Sequence, residues 1–253
     1  MFTLTEINPA VEVPESEYQR LLGYPRQHSL EGRARELADG ARAWFSKDGH
    51  PWICAREISS VEFRDKKVSI GEKEFSSQRL HQLFAESDVH TAVLVAVSAG
   101  RECEEYARQL WEEGKPDEYF FLEVLGSAVV EQLIVLANAH ICGWADDNKL
   151  AALPYFSPGY SGWDIAEQIS LWNLFRERFD GGFPGALEVM ESGMLRPKKS
   201  QLTVVGLTHE LEKARRFSRL IPCESCSLPN CRYRRGPYKR SRAPVEVPGR
   251  SHP

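Results

Sequence analysis

The sequence has no uninterrupted apolar stretch near the roughly 20 residues that span a bilayer; its apolar runs are short, as at Val93–Val97. No membrane-spanning helix is expected. Residues 1–18 carry acids and prolines but neither a basic start nor an apolar central region, so no secretory leader is read there and a cytoplasmic protein is expected. No internal repeat appears, and strands and helices do not alternate as in a doubly wound parallel sheet. This favours an α+β fold. With 32 Lys and Arg against 36 Asp and Glu, the chain has a formal net charge of −4, and nucleic acid is not an expected partner.

The 253 residues are 42% hydrophobic, enough for a sizeable core. Apolar spacing predicts helices over 15–22, 30–45, 78–86, 101–113, 117–141 and 165–178. Strands are expected at Val61–Arg64, Lys67–Ile70 with a weaker neighbour, Thr91–Ser98 and Gln201–Leu207. Composition divides the chain into a globular part over 1–220, a cysteine segment over 221–235 and a basic tail over 236–253. Between Arg232 and Arg250, seven basic side chains face one acid, Glu246, as expected of a solubilising disordered end.

Residues 155–163 read Tyr-Phe-Ser-Pro-Gly-Tyr-Ser-Gly-Trp. Pro158 restricts the backbone, Gly159 and Gly162 open conformations closed to other residues, and four aromatics surround the turn. Such a turn either packs against its neighbours or forms one wall of a site for a planar ligand. A second irregular segment follows at Gly193–Ser200. On the long helix, Val124, Ala128, Glu131 and Val135 share a face, so Glu131 is either solvated at its edge or turned toward a cation.

Cys223, Cys226 and Cys231 form a C-x2-C-x4-C pattern, while Cys54, Cys103 and Cys142 are scattered. Three thiolates at this spacing could face zinc or an iron–sulfur cluster, with Cys142, Cys54, His209 or an outside group as fourth ligand. Plain reduced thiols are the alternative.

Several pieces together resemble the activation domain of cobalamin-dependent methionine synthase, especially its stand-alone bacterial relatives. They are Ser157-Pro158-Gly159-Tyr160 with Gly162-Trp163-Asp164 and Gln168; Glu191-Ser192-Gly193-Met194 with Pro197-Lys198-Lys199-Ser200; Leu125-Gly126-Ser127-Ala128 with Glu131; and Arg20-Leu21-Leu22-Gly23-Tyr24. The resemblance implies a bent antiparallel sheet with packed helices. It also implies S-adenosylmethionine binding and a part in the reductive methylation that reactivates a corrinoid cofactor. The residues it implicates are Glu131, Tyr155, Ser157, Pro158, Gly159, Tyr160, Trp163, Lys198, Lys199 and Ser200. Cobalamin is expected on a partner corrinoid methyltransferase or methionine synthase, because 253 residues leave no room for the family's cobalamin- and homocysteine-binding domains; an electron-donor protein is a further expected partner. One position departs from the pattern. Tyr155 stands where the family has an Arg for the ligand carboxylate, and a phenol does not replace a bidentate cation. Lys198, Lys199 or Arg196 then takes that role, or the ligand or its affinity differs.

Overall fold

A computed structural model describes residues 1–25, 29–179 and 182–218. In chain order the elements are β1 (Thr3–Ile7), α1 (Glu15–Leu21), α2 (Gly32–Asp48), β2 (Trp52–Ile58), β3 (Val61–Arg64), β4 (Lys67–Ile70) and β5 (Lys73–Phe75). Next come α3 (Gln78–Glu86), β6 (Thr91–Ser98), α4 (Arg101–Glu112), α5 (Pro116–Asp147) and β7 (Ala151–Ala152). A 3-10 turn (Ile165–Glu167), α6 (Gln168–Glu177), β8 (Glu188–Val189), β9 (Leu195–Arg196), β10 (Ser200–Thr208) and α7 (Leu211–Ser218) complete it.

The β-branched run Thr91–Ser98 forms the middle of a five-stranded sheet ordered β1-β2-β6-β10-β7, antiparallel at every pairing. All eight residues of β6 are buried, which is why this strand reads most clearly in the sequence. Its side chains alternate between two cores. Val93, Val95 and Val97 join α1, α2, α4 and α5 on one face, while Ala92, Leu94 and Ala96 join α3, α6 and the small sheet β3-β4-β5 on the other. The fold is α+β.

Helix α5 starts on Pro116, with Asp117 and Glu118 in a first turn where acids suit the helix dipole. By length and composition it is apolar enough to cross a membrane, although its apolar residues are interspersed with polar ones rather than forming one run. Yet 56% of its most apolar window is buried against the rest of the chain. Leu122, Leu125, Val129 and Leu133 lie in the core with α2, α4 and the sheet. The expected end at residue 141 falls short because Ala145 is still fully buried and Asn148 closes the helix.

Strands β1, β7, β8 and β9 are not anticipated by composition. In β1 none of the five residues is buried, Thr3, Thr5 and Ile7 being exposed and Leu4 and Glu6 partly buried, and the other three strands have only two residues each. The expected 165–178 helix opens instead with the 3-10 turn, because the Asp164 side chain accepts from Ala166 N at 2.9 Å and tightens the entry.

Candidate functional site

The turn at 155–163 is built on the open edge of β10. Beyond β7, the backbone of Phe156 exchanges two 2.9 Å hydrogen bonds with Val204, and Thr203 Oγ1 donates to Phe156 O at 2.8 Å. The chain then leaves the sheet. Tyr160 N donates to Ser157 O (3.1 Å), Gly159 N to Trp163 O (2.9 Å) and Trp163 N to Tyr160 O (2.9 Å), closing a compact turn. Gly159 and Gly162 both have φ of 87°, the left-handed region that favours glycine. Ser77 both caps α3, accepting from Leu80 N, and donates to Gly162 O at 2.8 Å, which ties the turn to that helix.

Trp163 is only 3% exposed. It stacks on Phe156 at 5.7 Å, meets Phe75 edge-on at 5.7 Å and donates from Nε1 to Glu167 Oε2 at 2.7 Å. Its place is therefore in the packing beneath the turn. Pro158 is buried as well, and Gly159 is exposed.

Tyr155, Ser157 and Tyr160 meet in one uncharged network. Gln201 Nε2 donates to both Ser157 Oγ and Tyr160 Oη, each at 3.0 Å. The Tyr155 and Tyr160 rings lie 6.3 Å apart and their hydroxyls are hydrogen-bonded. Burial pushes the Tyr160 phenol above its ordinary pKa, against the opposing hydrogen bonds from Gln201, Tyr155 and Ser157, so it stays neutral and can both donate and accept.

Two residues earlier in β10's direction, on the same face, Lys199 enters a charged network. Its ammonium lies 3.1 Å from Glu123 Oε2 and 2.9 Å from Ser127 Oγ on α5. Lys198 Nζ reaches the other oxygen of Glu123 at 2.8 Å and sits over the Tyr119 ring at 5.6 Å, while its backbone N donates to Glu104 Oε2 at 2.7 Å. Burial acts to lower the Lys198 pKa, but Glu123, Tyr119 and Glu104 outweigh it and hold the ammonium above its ordinary value. Lys199 approaches α5 so closely that a Cβ on Gly126 would lie 3.0 Å from its Cγ. Upstream, Gly193 has φ of 81° and its carbonyl accepts from the buried Gln168 Nε2 at 2.8 Å, fixing the β8–β9 hairpin to α6.

Ser200 points to the other side of the sheet, where its hydroxyl donates to Ser98 Oγ at 2.9 Å. Glu131 is turned toward a cation. Arg20 of α1, 10% exposed, reaches Glu131 Oε2 at 3.0 Å and Glu17 Oε2 at 2.9 Å. Glu123, Ser127 and Glu131 lie four residues apart along one face of α5, so the Arg20 pair and the lysine pair flank Ser127 from opposite ends. Glu123 and Gln201 were not singled out by the sequence, and Ser127 entered only as part of the Leu125–Ala128 motif. The spacing of four along the helix and the two-residue spacing from Lys199 to Gln201 were the available signals.

A groove of about 940 Å³ opens beyond Lys198, between α4, the start of α5 and the 186–188 and 196–198 segments. Arg101, Arg108, Trp111, Tyr119 and Arg196 line it, and no described lining residue comes from 155–160. It adjoins the charged network but not the turn.

Cys223, Cys226 and Cys231 lie outside the described residues, as does the basic tail. Of the proposed fourth ligands, Cys54 is buried in β2 and its thiol is pushed up to about 12, Cys142 is exposed on α5, and His209 stacks on His90 at 4.6 Å. Among the described residues no group of three or more His, Cys, Asp or Glu could hold a metal ion.

No family model matches the sequence, and no curated protein matches it. Among solved structures, the chain is similar to the crystal structure of the MetH reactivation domain bound to AdoHcy, with a TM-score of 0.60 and 12% identity over 82% of this chain and 79% of that one. Mixed helices packed on a curled antiparallel sheet are consistent with that fold. By its architecture, this chain has the fold of the methionine synthase reactivation domain.

Proposed function

We propose that the chain binds S-adenosylmethionine and acts with a separate corrinoid-binding methyltransferase, methionine synthase being the type, in the reductive methylation that restores its cofactor. The observation that carries this reading is the likeness, across 82% of the chain, to a reactivation domain bound to AdoHcy. The donor set fits such a ligand. Ser157, Tyr160 and Gln201 offer hydroxyl and amide groups for ribose or adenine, and Tyr155 offers a half-buried aromatic face for a sulfonium. The ion pairs beside these residues join Arg20 to Glu17 and Glu131, and Lys198 and Lys199 to Glu123.

S-adenosylmethionine supplies an activated methyl group whose leaving group is a neutral thioether, so the protein needs no general acid or base for the transfer. The task of these residues is positioning. The turn at 155–163 is clamped to β10 and α3, Gln201 orients the Ser157 and Tyr160 hydroxyls, and the tethering of Lys199 to α5 keeps the start of β10 in register with them. In this reading the electron comes from a separate donor protein, and an iron–sulfur centre held by Cys223, Cys226 and Cys231 would relay it. Zinc there would leave only the external donor. Iron, sulfide and zinc analysis of anaerobically purified protein separates these cases.

Calorimetry with S-adenosylmethionine and S-adenosylhomocysteine tests the reading directly. Saturable binding of both is expected, together with faster anaerobic formation of methylcobalamin on a corrinoid methyltransferase when the chain is present. Absence of binding to either compound would falsify it.

A further inference from the structure

We propose that the chain pairs with a second copy of itself through the outward face of α4, about a two-fold axis that sets the two helices antiparallel. Buried Cys103, Ala107 and Leu110 turn one side of α4 toward the core it shares with α5. On the opposite side, Arg101, Glu105, Arg108 and Glu112 follow one another at spacings of four, three and four residues, so all four lie in one narrow exposed stripe. Their charges read plus, minus, plus, minus along it.

That order is self-complementary in one orientation. With the two-fold axis midway between Tyr106 and Ala107, Arg101 of each copy lies opposite Glu112 of the other, and Glu105 lies opposite Arg108. These are the layers of an antiparallel two-helix seam, whose facing residues recur at the same three- and four-residue spacings. Every cation in the stripe then meets a carboxylate. Parallel helices in register would set each charge against its own kind, and a partner face of a single sign would meet the wrong sign at two of the four positions. The pattern therefore selects a second copy.

Within one copy the same charges are weakly held. Arg101 pairs with Glu105 at 2.7 Å, but Arg108 lies 3.9 Å from Glu112, and all four side chains are exposed. In both pairs the cation precedes the acid, the weaker order for residues four apart on a helix. Arg101 also stands at the positive end of the helix dipole and Glu112 at the negative end, each against its preference. Antiparallel pairing reverses this, since Arg101 meets the C-terminal end of the second helix and Glu112 its N-terminal end.

The stripe has an aromatic flank and room beside it. Trp111, 62% exposed, stands next to it and meets Tyr119 edge-on at 5.2 Å. Helix α4 is a ridge between two hollows, the groove of about 940 Å³ on the Trp111 side and a shallower one of about 420 Å³ beside Trp44, Tyr106 and Gln109; Glu105 and Arg108 line both. Two such ridges laid antiparallel bring Trp111 of each copy to the Arg101 end of the other helix, where its ring gains cover and a cationic neighbour. Exposed ion pairs contribute little by themselves, so this aromatic contact is part of the interface.

Sedimentation equilibrium of the full chain, with no ligand added, tests this. At about 100 μM a dimer of twice 28.7 kDa is expected. Arg101→Glu with Arg108→Glu makes the stripe wholly acidic, and Glu105→Arg with Glu112→Arg makes it wholly basic; each double variant alone is expected to be monomeric. Mixed in equal amounts, the two are expected to pair with each other. The chain bearing all four substitutions is expected to dimerise again, because its stripe is once more complementary to itself. An unchanged far-ultraviolet circular dichroism spectrum separates lost pairing from lost folding at these exposed positions. A wild-type chain that stays monomeric at this concentration overturns the proposal. So does a dimer that persists in either double variant, or two double variants that do not associate when mixed.

Discussion

The two irregular segments that border the start of β10, 155–163 and 193–200, are fixed in place by opposite means. The first is held by aromatic packing and by neutral hydroxyl, amide and backbone bonds: Trp163 against Phe156 and Phe75, Gln201 to Ser157 and Tyr160. The second is held largely by charge, with Lys198 and Lys199 on Glu123 and the Lys198 backbone on Glu104. Neutral groups can rearrange their hydrogen bonds around a ligand at small cost, whereas a sheltered carboxylate with two cations has little to give up. On the reading proposed above, recognition falls to the first segment and support to the second.

Substitutions that remove one anchor at a time break this comparison. The largest effect is expected for Trp163→Ala, a truncation of a buried aromatic that costs about 3–5 kcal/mol and, at about 2–4 °C per kcal/mol in a chain of this size, lowers Tm by roughly 10 °C. Trp163→Phe keeps an aromatic ring beneath the turn but gives up the Nε1–Glu167 hydrogen bond, and it leaves S-adenosylmethionine affinity within about twofold, as expected of a residue in the packing. A selective loss of affinity at unchanged Tm would instead put Trp163 on the ligand.

Glu123→Ala comes next. It leaves Lys199 sheltered without its carboxylate, at an expected cost of about 3 kcal/mol, the lower end of the range for breaking a buried pair. Thermal denaturation in low and high salt checks the charge argument. The wild type should lose more stability than the variant when salt is raised to about 1 M, because only the wild type has this ion pair to screen.

The smallest effect on stability belongs to Gln201→Leu. Ser157 and Tyr160 lose one shared donor, worth about 1–2 kcal/mol, while ligand affinity falls by about tenfold because both hydroxyls lose their orientation. A Gln201→Leu protein that binds S-adenosylmethionine as tightly as the wild type would remove recognition from this segment and sharpen attention on the charged one.

Much of this was legible in the chain. The eight buried residues of β6, β-branched or small except Leu94, and the amphipathic spacing of α3 and α4 report their own environment, because burial on one or both faces must be written into the side chains. The Gly and Pro positions of the 155–163 turn are similarly local, since φ of 87° at Gly159 and Gly162 is a demand on those residues themselves. The two-residue strands β7, β8 and β9 have no such record. They exist because β10 or a hairpin partner supplies the other half of the ladder.

Within the site, the sequence identified Glu131 as an acid on an apolar face but left solvent and a cation as alternatives; the structure supplies Arg20, 111 residues away. It placed Lys198 and Lys199 beside the turn without Glu123, the residue that engages both of them. It also grouped Trp163 with the ligand residues, although tertiary packing sends that ring inward. The sequence by itself determined the α+β class, the positions of the turn and the neutral character of Tyr155, because backbone freedom and side-chain chemistry belong to single residues. Only the tertiary structure decided which charges cancel, since an ion pair needs two groups brought within about 4 Å, and distance along the chain says nothing about that.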